Sequence, residues 1–318
     1  MRAVWLKEFG GPEVLVAAET AEPVAGAGQA LIEVAFANIT FVETQMRAGT
    51  GPFRTELPRV PGNGVGGTVT SVGAGVAGEL VGRRVISSTG GSGGYAEHVA
   101  VDAAGLIEVP DGLELDTAVA LLADGRTATS LVRAAGLRPG ERVLVEAAAG
   151  GVGTLLVQLA KAAGARVVAA AGGARKAGLA RDLGADVAVD YLEPGWTERV
   201  REAVGGVDVV FDGVGGAISR SAFELVEPGG RMLSFGLASG EWTPVSNEVA
   251  AERGVALVRP SATPEEMRAF TLSALAEAAA GRLRPVIGQR FPLDRAADAH
   301  AAIQSRATVG KTLLEVRP

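Results

Sequence analysis

The chain has 318 residues and a formal net charge of -6 at pH 7. This length is too great for one ordinary core and fits two domains, and the acidic balance argues against nucleic acid or an anionic membrane as the main partner. The chain has no cysteine, which excludes disulfides and thiol chemistry. Charges interrupt residues 1-8, where a signal peptide needs an apolar stretch, and no apolar run approaches membrane-spanning length. We therefore expect a cytoplasmic protein.

The chain up to about residue 117 is expected to be rich in β-strands, because short strand-like runs alternate there with Gly and Pro turns. These runs are Val4-Trp5, Ala30 to Ala35, Gly66 to Val72, Arg83 to Ser87 and Tyr95 to Val101. From Asp116 to about Pro260, helical and apolar strand patterns alternate, which predicts a parallel sheet with right-handed crossovers. The predicted strands of this sheet are residues 142-146, 166-171, 186-189, 207-211, 230-235 and 254-258.

The last part of the chain is expected to contain both helices and strands. Thr263 and Glu266 form a capping-box pattern, which predicts the start of a long Ala-rich helix that ends near Ala280. Residues 309-316 are expected to form a closing strand.

The strongest local signal lies between Glu141 and Tyr191. A predicted strand runs directly into Ala147-Ala148-Ala149-Gly150-Gly151-Val152-Gly153 and then into a helix with apolar residues at helical spacing. Glycines in such a unit allow a tight turn, a close approach of the backbone to a pyrophosphate and close helix packing, and the helix start offers free amides to the anion. Because Gly makes up 45 of the 318 residues, the flanking strand and helix carry much of the argument.

The residues after the second strand indicate which cofactor is bound. An NAD-selective site usually has an Asp or Glu about 20 residues after the glycines, which binds the ribose 2'-hydroxyl. Here the second strand ends in Gly172-Gly173-Ala174-Arg175-Lys176, and no acid occurs between Glu146 and Asp182. This pattern favours a cofactor with a 2'-phosphate. The alternative is that Arg175 and Lys176 only begin a solvated helix.

The whole chain resembles the zinc-independent medium-chain dehydrogenase/reductases, in the NADPH:quinone oxidoreductase branch that includes zeta-crystallin. The motifs that carry the resemblance follow one another in the expected order: Glu43 to Gly49, Pro61 to Gly67, Gly93 to Glu97, Thr127-Ala128, Ala147 to Gly153, Lys176, Asp190-Tyr191, Asp212 to Gly215, Ser234 to Gly236 and Gly310-Lys311. The resemblance implies an α/β fold: a GroES-like β-rich domain from residues 1-117 and 261-318, a Rossmann domain with a doubly wound parallel sheet at residues 118-260, and a cofactor cleft between them.

The resemblance also assigns residues to NADPH. It places the pyrophosphate on Gly150, Gly151 and Gly153, the 2'-phosphate on Lys176 with Gly173 and Tyr191, and the nicotinamide near Thr127, Val214, Phe235 and Gly236, with Val152 and Lys311 in the same cofactor-binding set. From the residues alone, Phe235 at the end of an apolar strand is more often a core residue. Tyr191 could equally cap a strand end at the surface.

The chain departs from the family pattern in three places. Thr40 stands where the family usually has an Asn, although a shift in register would bring Asn38 to that place. Related enoyl reductases have a proton-donating Tyr in the turn that here reads Thr50-Gly51-Pro52-Phe53, which has none. Asp124 and Arg126 are polar where an apolar segment is usual. They either line the substrate cleft or form an ion pair that braces the two domains.

The residue content also bears on the reaction type. A zinc site needs converging Cys, His and carboxylate ligands, and the chain has only His98 and His300, both expected to be structural or surface residues. Without a Lewis acid, oxidation of an alcohol through an alkoxide is disfavoured. Reduction of a quinone or an α,β-unsaturated carbonyl fits better, because the oxygen of such a substrate accepts the charge.

We therefore expect a zinc-independent, NADPH-dependent reductase of a small electron-poor quinone or enone. Thr40 and Thr127 are its expected orienting residues, and no side chain is expected to be obligatory as proton donor. Two alternatives stay open: an enoyl-thioester reductase of the same fold, and a cofactor-binding protein with little catalytic turnover. The apolar strand at residues 254-258, at an expected sheet edge, and the habit of the family predict a homodimer through the Rossmann domains.

Overall fold

The structure, a computed structural model, describes residues 1–51 and 56–317. Its strands are β1 (Arg2–Leu6), β2 (Leu15–Glu19), β3 (Gln29–Ile39), β4 (Gly64–Val72), β5 (Arg84–Ser88), β6 (His98–Asp102), β7 (Ile107–Glu108), β8 (Arg142–Glu146), β9 (Arg166–Ala171), β10 (Val187–Asp190), β11 (Val207–Asp212), β12 (Val226–Ser234), β13 (Ala256–Val258), β14 (Ile287–Pro292) and β15 (Lys311–Glu315). Its α-helices are α1 (Phe41–Ala48), α2 (Leu115–Ala135), α3 (Gly151–Ala162), α4 (Ala174–Asp182), α5 (Trp196–Val204), α6 (Gly216–Phe223), α7 (Asn247–Glu252), α8 (Pro264–Ala279) and α9 (Ala296–Gln304). No α-helix among these residues is both long and apolar enough to cross a membrane.

The chain divides into two compact units. Unit 1 consists of Met1–Ala123 with Leu275–Pro318, and unit 2 consists of Asp124–Ala274. Both limits lie later in the chain than the predicted limits at residues 117/118 and 260/261. They fall inside α2 and α8, where no turn marks them in the sequence.

Unit 1 contains the antiparallel part of the fold. Its large sheet has the order β14-β15-β3-β4-β5-β7, and β6 also pairs with β3. The C-terminal strand β15 is antiparallel to β3, with Leu313 opposite Asn38, so both ends of the chain contribute to one sheet. Alternate residues of β3, Ala30, Ile32 and Val34, are fully buried, as expected for a strand with one face on the core.

Unit 2 is built on six parallel strands in the order β10-β9-β8-β11-β12-β13. This is the doubly wound dinucleotide-binding order. Successive strands are added on one side of β8 and then, from β11 onward, on its other side, so the strand order reverses between β8 and β11. The central strands are apolar along most of their length, because helices cover both faces of such a sheet. Ligands of such sheets bind at the carboxyl ends of the strands, next to the point of reversal.

The fold class predicted from the sequence is confirmed, whereas the strands β2 and β7 and the helix α1 were not predicted. The segment after Thr40 forms the helix α1. Thr40 and Glu43 make a capping box at its start, and Gly49, with φ of 78°, ends it in the left-handed conformation. At the start of α8 the predicted capping box is present, with the Thr263 amide donating to Glu266 at 2.8 Å and the Glu266 amide donating to Thr263 Oγ1 at 3.2 Å.

Candidate active site

The turn from β8 into α3 is held by the carbonyl oxygen of Ala147. Ala147 has φ of 46°, in the left-handed region that non-glycine residues rarely adopt. Its carbonyl oxygen accepts the amide of Gly150, the N-cap of α3, at 2.8 Å. A Cβ on Gly153 would lie 2.2 Å from the same oxygen. Only glycine therefore fits at position 153 while α3 starts this close to β8.

The first turn of α3 can bind an anion. Its amides, those of Gly151, Val152 and Gly153, lie where a helix has no internal hydrogen-bond acceptors. No acidic side chain lies in this turn, and Lys161 lies in the last turn, so the positive end of the helix dipole is not offset by the helix itself. A dinucleotide pyrophosphate fits this position.

A second helix start without acidic residues lies where β9 and β10 end. Gly173, with φ of 95°, is the N-cap of α4, and Lys176 stands half-buried in the first turn of that helix, which contains no acid. The Tyr191 amide donates to the Ala171 carbonyl at 3.1 Å. A Cβ on Gly172 would lie 3.2 Å from Cε2 of Tyr191. The structure thus places Gly173, Lys176 and Tyr191 at neighbouring strand ends.

A pocket of about 270 Å³ lies within unit 2. It is lined by hydroxyl groups from Thr127, Ser130 and Ser234 and by apolar side chains that include Leu131, Phe235 and Met267. Phe235 is half-buried and lines this pocket, so it is not a fully enclosed core residue. The pocket has room for one small ring rather than a whole dinucleotide.

The other two residues assigned to the nicotinamide lie around Asp212. The Val214 amide donates to Asp212 Oδ1 at 3.0 Å, and the Phe235 amide donates to the Asp212 carbonyl at 2.9 Å. A Cβ on Gly236 would lie 2.6 Å from the carbonyl oxygen of Gly213. Glycine at 236 therefore allows the ends of β11 and β12 to approach closely.

In unit 1, Thr40 is bound to a buried acid. Both its amide and its hydroxyl donate to Glu43 Oε2, at 2.7 and 2.8 Å, and the Asn63 amide donates to Glu43 Oε1 at 3.1 Å. Burial raises the pKa of Glu43, whereas the hydrogen bonds from Thr40 and the charge of Lys311 lower it. Lys311, assigned to the cofactor by resemblance, is itself buried at 3% exposure, and its charge acts on Glu43.

Tyr95 and His300 extend this network into the core. The Tyr95 hydroxyl lies 3.0 Å from His300 Nε2 and also interacts with Glu43. Burial and the charge of Glu43 raise the pKa of Tyr95 well above its usual range. His300 Nδ1 has no hydrogen-bond partner among the described residues. A buried N–H without an acceptor costs more than a nitrogen lone pair without a donor, so the ring proton of His300 is on Nε2. Nε2 then donates to the Tyr95 oxygen, and the Tyr95 hydroxyl hydrogen is free for Glu43.

This arrangement limits what Thr40 can do. Its hydroxyl hydrogen is used by Glu43, so toward a ligand Thr40 offers an acceptor oxygen. Asn38, the other candidate at this place, is 0% exposed, and neither atom of its amide has a partner among the described residues. Thr40 is only half-buried, so of the two it is the residue with surface that a ligand can reach.

The structure describes only one of the two remaining departures from the family pattern in full. Pro52 and Phe53, in the turn without a tyrosine, lie outside the described residues. Asp124 is buried at 8% exposure, and burial lowers the pKa of Arg126 while the charge of Asp124 raises it. The two residues therefore attract each other within unit 2, and a role toward the substrate stays a prediction.

The two histidines have different surroundings. His300 is fully buried in α9, and His98 is half-buried with Nδ1 3.2 Å from Glu22. Across residues 1–51 and 56–317, no three His, Cys, Asp or Glu side chains converge as a metal site would require.

Several polar residues of the site lie within the family motifs of the sequence, but no role was predicted for them. The spacing of Thr40 and Glu43 is a capping-box pattern and could have revealed Glu43. Asp212 ends a strand at the point of reversal of the sheet, where ligands bind. Tyr95 lies in the motif Gly93 to Glu97, but no local pattern indicates its role, because its partner His300 is 205 residues away in the chain.

Known proteins match this chain over nearly its whole length. Residues 26–111 match the alcohol dehydrogenase GroES-like domain, and residues 151–276 match the zinc-binding dehydrogenase family. The quinone oxidoreductase of Pseudomonas aeruginosa is 35% identical over 315 residues, covering 96% of this chain and 97% of the relative, and that of Homo sapiens is 31% identical over 320 residues, covering 99% and 97%.

Solved structures agree with these matches. The Escherichia coli quinone oxidoreductase in complex with NADPH has a TM-score of 0.92 and 31% identity, covering 99% of this chain and 100% of that chain. The quinone oxidoreductase of Thermus thermophilus, also solved with NADPH, has a TM-score of 0.81 and 34% identity with the same coverage. The two units thus define an oxidoreductase of the dehydrogenase class, and the chain belongs to the quinone oxidoreductase branch of the medium-chain dehydrogenase/reductase superfamily.

The buried histidine predicts loss of stability in acid. Burial, with the charge of Arg47, lowers the pKa of His300 from 6.5 to about 3, so below pH 6.5 the unfolded chain binds a proton that the folded chain does not. Each pH unit between 6.5 and about 3 should remove about 1.4 kcal/mol of the free energy of unfolding through this residue. Urea unfolding at pH 7, 6 and 5 checks this, with His300→Gln as the non-titrating comparison. Parallel pH dependences for the two proteins would contradict the prediction.

Proposed function

We propose that the protein is an NADPH-dependent oxidoreductase that reduces quinones or α,β-unsaturated carbonyl compounds without zinc. The observation that carries the proposal is the pair of anion-binding positions at one edge of the unit 2 sheet, the start of α3 and the corner of Gly173, Lys176 and Tyr191. The cofactor fits these residues, because the space at Gly153 has no room for a side chain and neither helix start contains an acid. The quinone oxidoreductase relatives and their NADPH complexes support the assignment.

When bound, NADPH supplies a hydride to an electron-poor carbon. In the proposal the amides of Gly151 to Gly153 bind the pyrophosphate and Lys176 binds the 2'-phosphate. The pocket lined by Thr127 and Phe235 orients the reacting end and excludes water from it. Thr40 orients through its acceptor oxygen, because Glu43 takes its hydrogen. Neither threonine is then an obligatory proton donor, and solvent protonates the reduced product.

Turnover with different acceptors tests the reaction. NADPH oxidation should be observed with quinones or 2-alkenals, and it should survive treatment of the purified protein with a metal chelator. Turnover with enoyl thioesters alone would favour an enoyl-thioester reductase. Tight NADPH binding without turnover on any acceptor would favour a cofactor-binding protein, and stoichiometric zinc whose removal abolishes activity would contradict the zinc-independent reaction.

Lys176→Ala should weaken NADPH binding and leave NADH binding nearly unchanged. A charge-assisted hydrogen bond to the phosphate contributes about 1.5 to 3 kcal/mol, which corresponds to roughly tenfold to a few hundredfold in the dissociation constant. Cofactor titration by fluorescence measures both constants. Lys161→Ala is the control, because the Lys161 ammonium pairs with Asp186 at 2.8 Å and should affect neither cofactor. Equal weakening of both cofactors in Lys176→Ala would mean that Lys176 acts on the shared part of the nucleotide or on folding.

Thr40→Ala and Thr127→Ala should each lower turnover by about one to two orders of magnitude, as expected for lost positioning. Thr40→Ala also removes the N-cap of α1, at about 1 kcal/mol of stability, so the free energy of unfolding is measured with kcat. Thr40→Ser keeps the hydroxyl and the bond to Glu43 and should retain most of the activity. A complete loss of turnover in either alanine variant with NADPH still bound would show that a dedicated general acid has been removed.

The protein is also proposed to form a homodimer through β13. This strand lies at the edge of the unit 2 sheet, with Leu257 and Val258 half-buried, and exposed strand edges are normally covered. Sedimentation should give a dimer at micromolar concentration. Ala256→Lys, a charge on this edge, should shift the protein toward the monomer, whereas Gln304→Lys on the exposed side of α9 should not. A monomer of wild-type protein would contradict the proposal.

A further inference from the structure

Two buried carboxyl groups lie side by side at the point of reversal of the unit 2 sheet. Glu146 is the last residue of β8 and Asp212 is the last residue of β11, and both are 0% exposed. The register pairs Val145 with Phe211. The next residue of each strand is the carboxyl residue, so both side chains lie on the same face of the sheet.

Asp212 is well supplied with hydrogen-bond donors. The amides of Val214 and Gly215 donate to Oδ1 at 3.0 and 2.8 Å. The hydroxyls of Ser219 and Ser234 donate to Oδ2 at 2.8 and 2.7 Å. Donors on both oxygens stabilise a carboxylate, so Asp212 carries the negative charge of the pair.

Glu146 has the opposite surroundings. Neither of its carboxyl oxygens has a partner of good hydrogen-bond geometry among the described residues. The Val214 amide, which donates to Asp212, is the one backbone donor near enough to lower the pKa of Glu146. Burial raises the pKa of Glu146 well above its usual range, and the charge of Asp212 raises it further. One poorly placed amide does not offset the burial of a carboxylate beside a second carboxylate, which is strongly unfavourable. Glu146 therefore keeps its proton, and the Asp212 carboxylate is the acceptor beside it.

Among residues 1–51 and 56–317, no positive charge acts on Glu146 to compensate for this pair. On the other side of β8, the strand β9 presents Ala170 opposite Glu146. The first turn of α3 contains no acid, and α6 contributes Ser219, which is bound to Asp212. In the part of the chain that the structure describes, Asp212 is thus the charged group that acts on Glu146.

The pair connects two loops of the proposed cofactor site, the glycine turn after β8 and the turn after β11. Asp212 holds Val214 on one side, and on the other it holds Ser234, which lines the pocket with Thr127 and Phe235. Glu146 directly precedes Ala147, whose carbonyl oxygen fixes the glycine turn. A change in the charge of the pair, or in the distance between its two carboxyl groups, therefore shifts the residues of both loops.

We propose that Glu146 and Asp212 share one proton, and that this proton holds the two loops in the form that binds NADPH. The inference rests on the proposed function, and it makes Glu146 a positioning residue that touches neither substrate nor cofactor. Loss of the proton leaves two adjacent carboxylates, which repel each other, separate the ends of β8 and β11, and add a negative charge behind the pyrophosphate position. Cofactor affinity then falls at alkaline pH.

The test is the dissociation constant for NADPH between pH 7 and 9.5, measured by fluorescence titration. In wild-type protein the constant should rise above the pH at which Glu146 loses its proton, by up to about tenfold per pH unit for one linked proton. Glu146→Gln keeps a donor to Asp212 and cannot titrate, so it should bind NADPH as wild type does at pH 7 and lose little affinity at pH 9.5. Glu202→Gln, on the exposed side of α5, should follow wild type. Any pH effect that is common to all three proteins cancels in the comparison.

Parallel pH profiles for wild type and Glu146→Gln would overturn the proposal. Asp212→Asn gives a second test if Glu146→Gln does not fold. It removes the neighbouring charge and with it the repulsion, so the alkaline fall in affinity should become smaller and move to lower pH, and a profile unchanged from wild type would overturn the shared proton.

Two measurements do not depend on cofactor. The infrared spectrum of wild-type protein at pH 7 should contain a carboxylic-acid C=O band that shifts on ¹³C-glutamate labelling and is absent from Glu146→Gln. The Tm of wild type should fall relative to that of Glu146→Gln as pH rises from about 4.5, because the folded chain then holds a proton that the unfolded chain releases. Absence of the band would overturn the proposal. Failure of every variant to bind NADPH or NADH at any pH would instead overturn the proposed function.

Discussion

The position of the Ala147 carbonyl oxygen is the constraint on which the site of unit 2 depends. It accepts the Gly150 amide at 2.8 Å and leaves no room for a side chain on Gly153. These two contacts set the distance between the end of β8 and the start of α3. The amides of the first helical turn and the carboxyl group of Glu146 are thereby placed on either side of one short turn. A larger residue at 153 would push α3 away and separate the anion-binding position from the strand end.

Each unit uses a buried carboxyl group to organise the loops around it. Burial of a charged group is costly unless hydrogen bonds replace its water. Glu43 receives donors from Thr40 and Asn63 and the charge of Lys311, and it thereby fixes the start of α1. Asp212 receives donors from the turn after β11 and from the end of β12. The two acids differ in the charged group next to them: the charge of Lys311 acts on Glu43, whereas Asp212 lies beside a second acid, Glu146.

Much of unit 2 could be predicted from sequence, because strands covered on both faces are continuous apolar runs between turn residues. The predicted and observed limits differ most for β12, which was predicted at residues 230-235 and begins at Val226. It continues through Pro228 and two glycines, residues that normally interrupt a strand. The edge strand β13 is shorter than predicted, Ala256–Val258. The glycine turn could be predicted because its physical requirements are local.

Other features depend on contacts that no local pattern records. The limits of the two units fall inside α2 and α8, where helical periodicity continues without a break. The bond between Tyr95 and His300 joins residues 205 positions apart. The roles of Glu146 and Asp212 follow from the order of the strands and from which oxygens receive donors, and both require the folded chain.

The most direct test of the central claim is to follow the hydrogen that the cofactor delivers. Single-turnover reduction of a cyclic enone with NADPH deuterated at the transferable position of the nicotinamide, followed by mass spectrometry and NMR of the product, locates this hydrogen. The account predicts one deuterium on the β-carbon of the product and a solvent-derived hydrogen on the α-carbon. Deuterium on the carbonyl carbon, or its absence from the product while NADPH is consumed, would contradict the account.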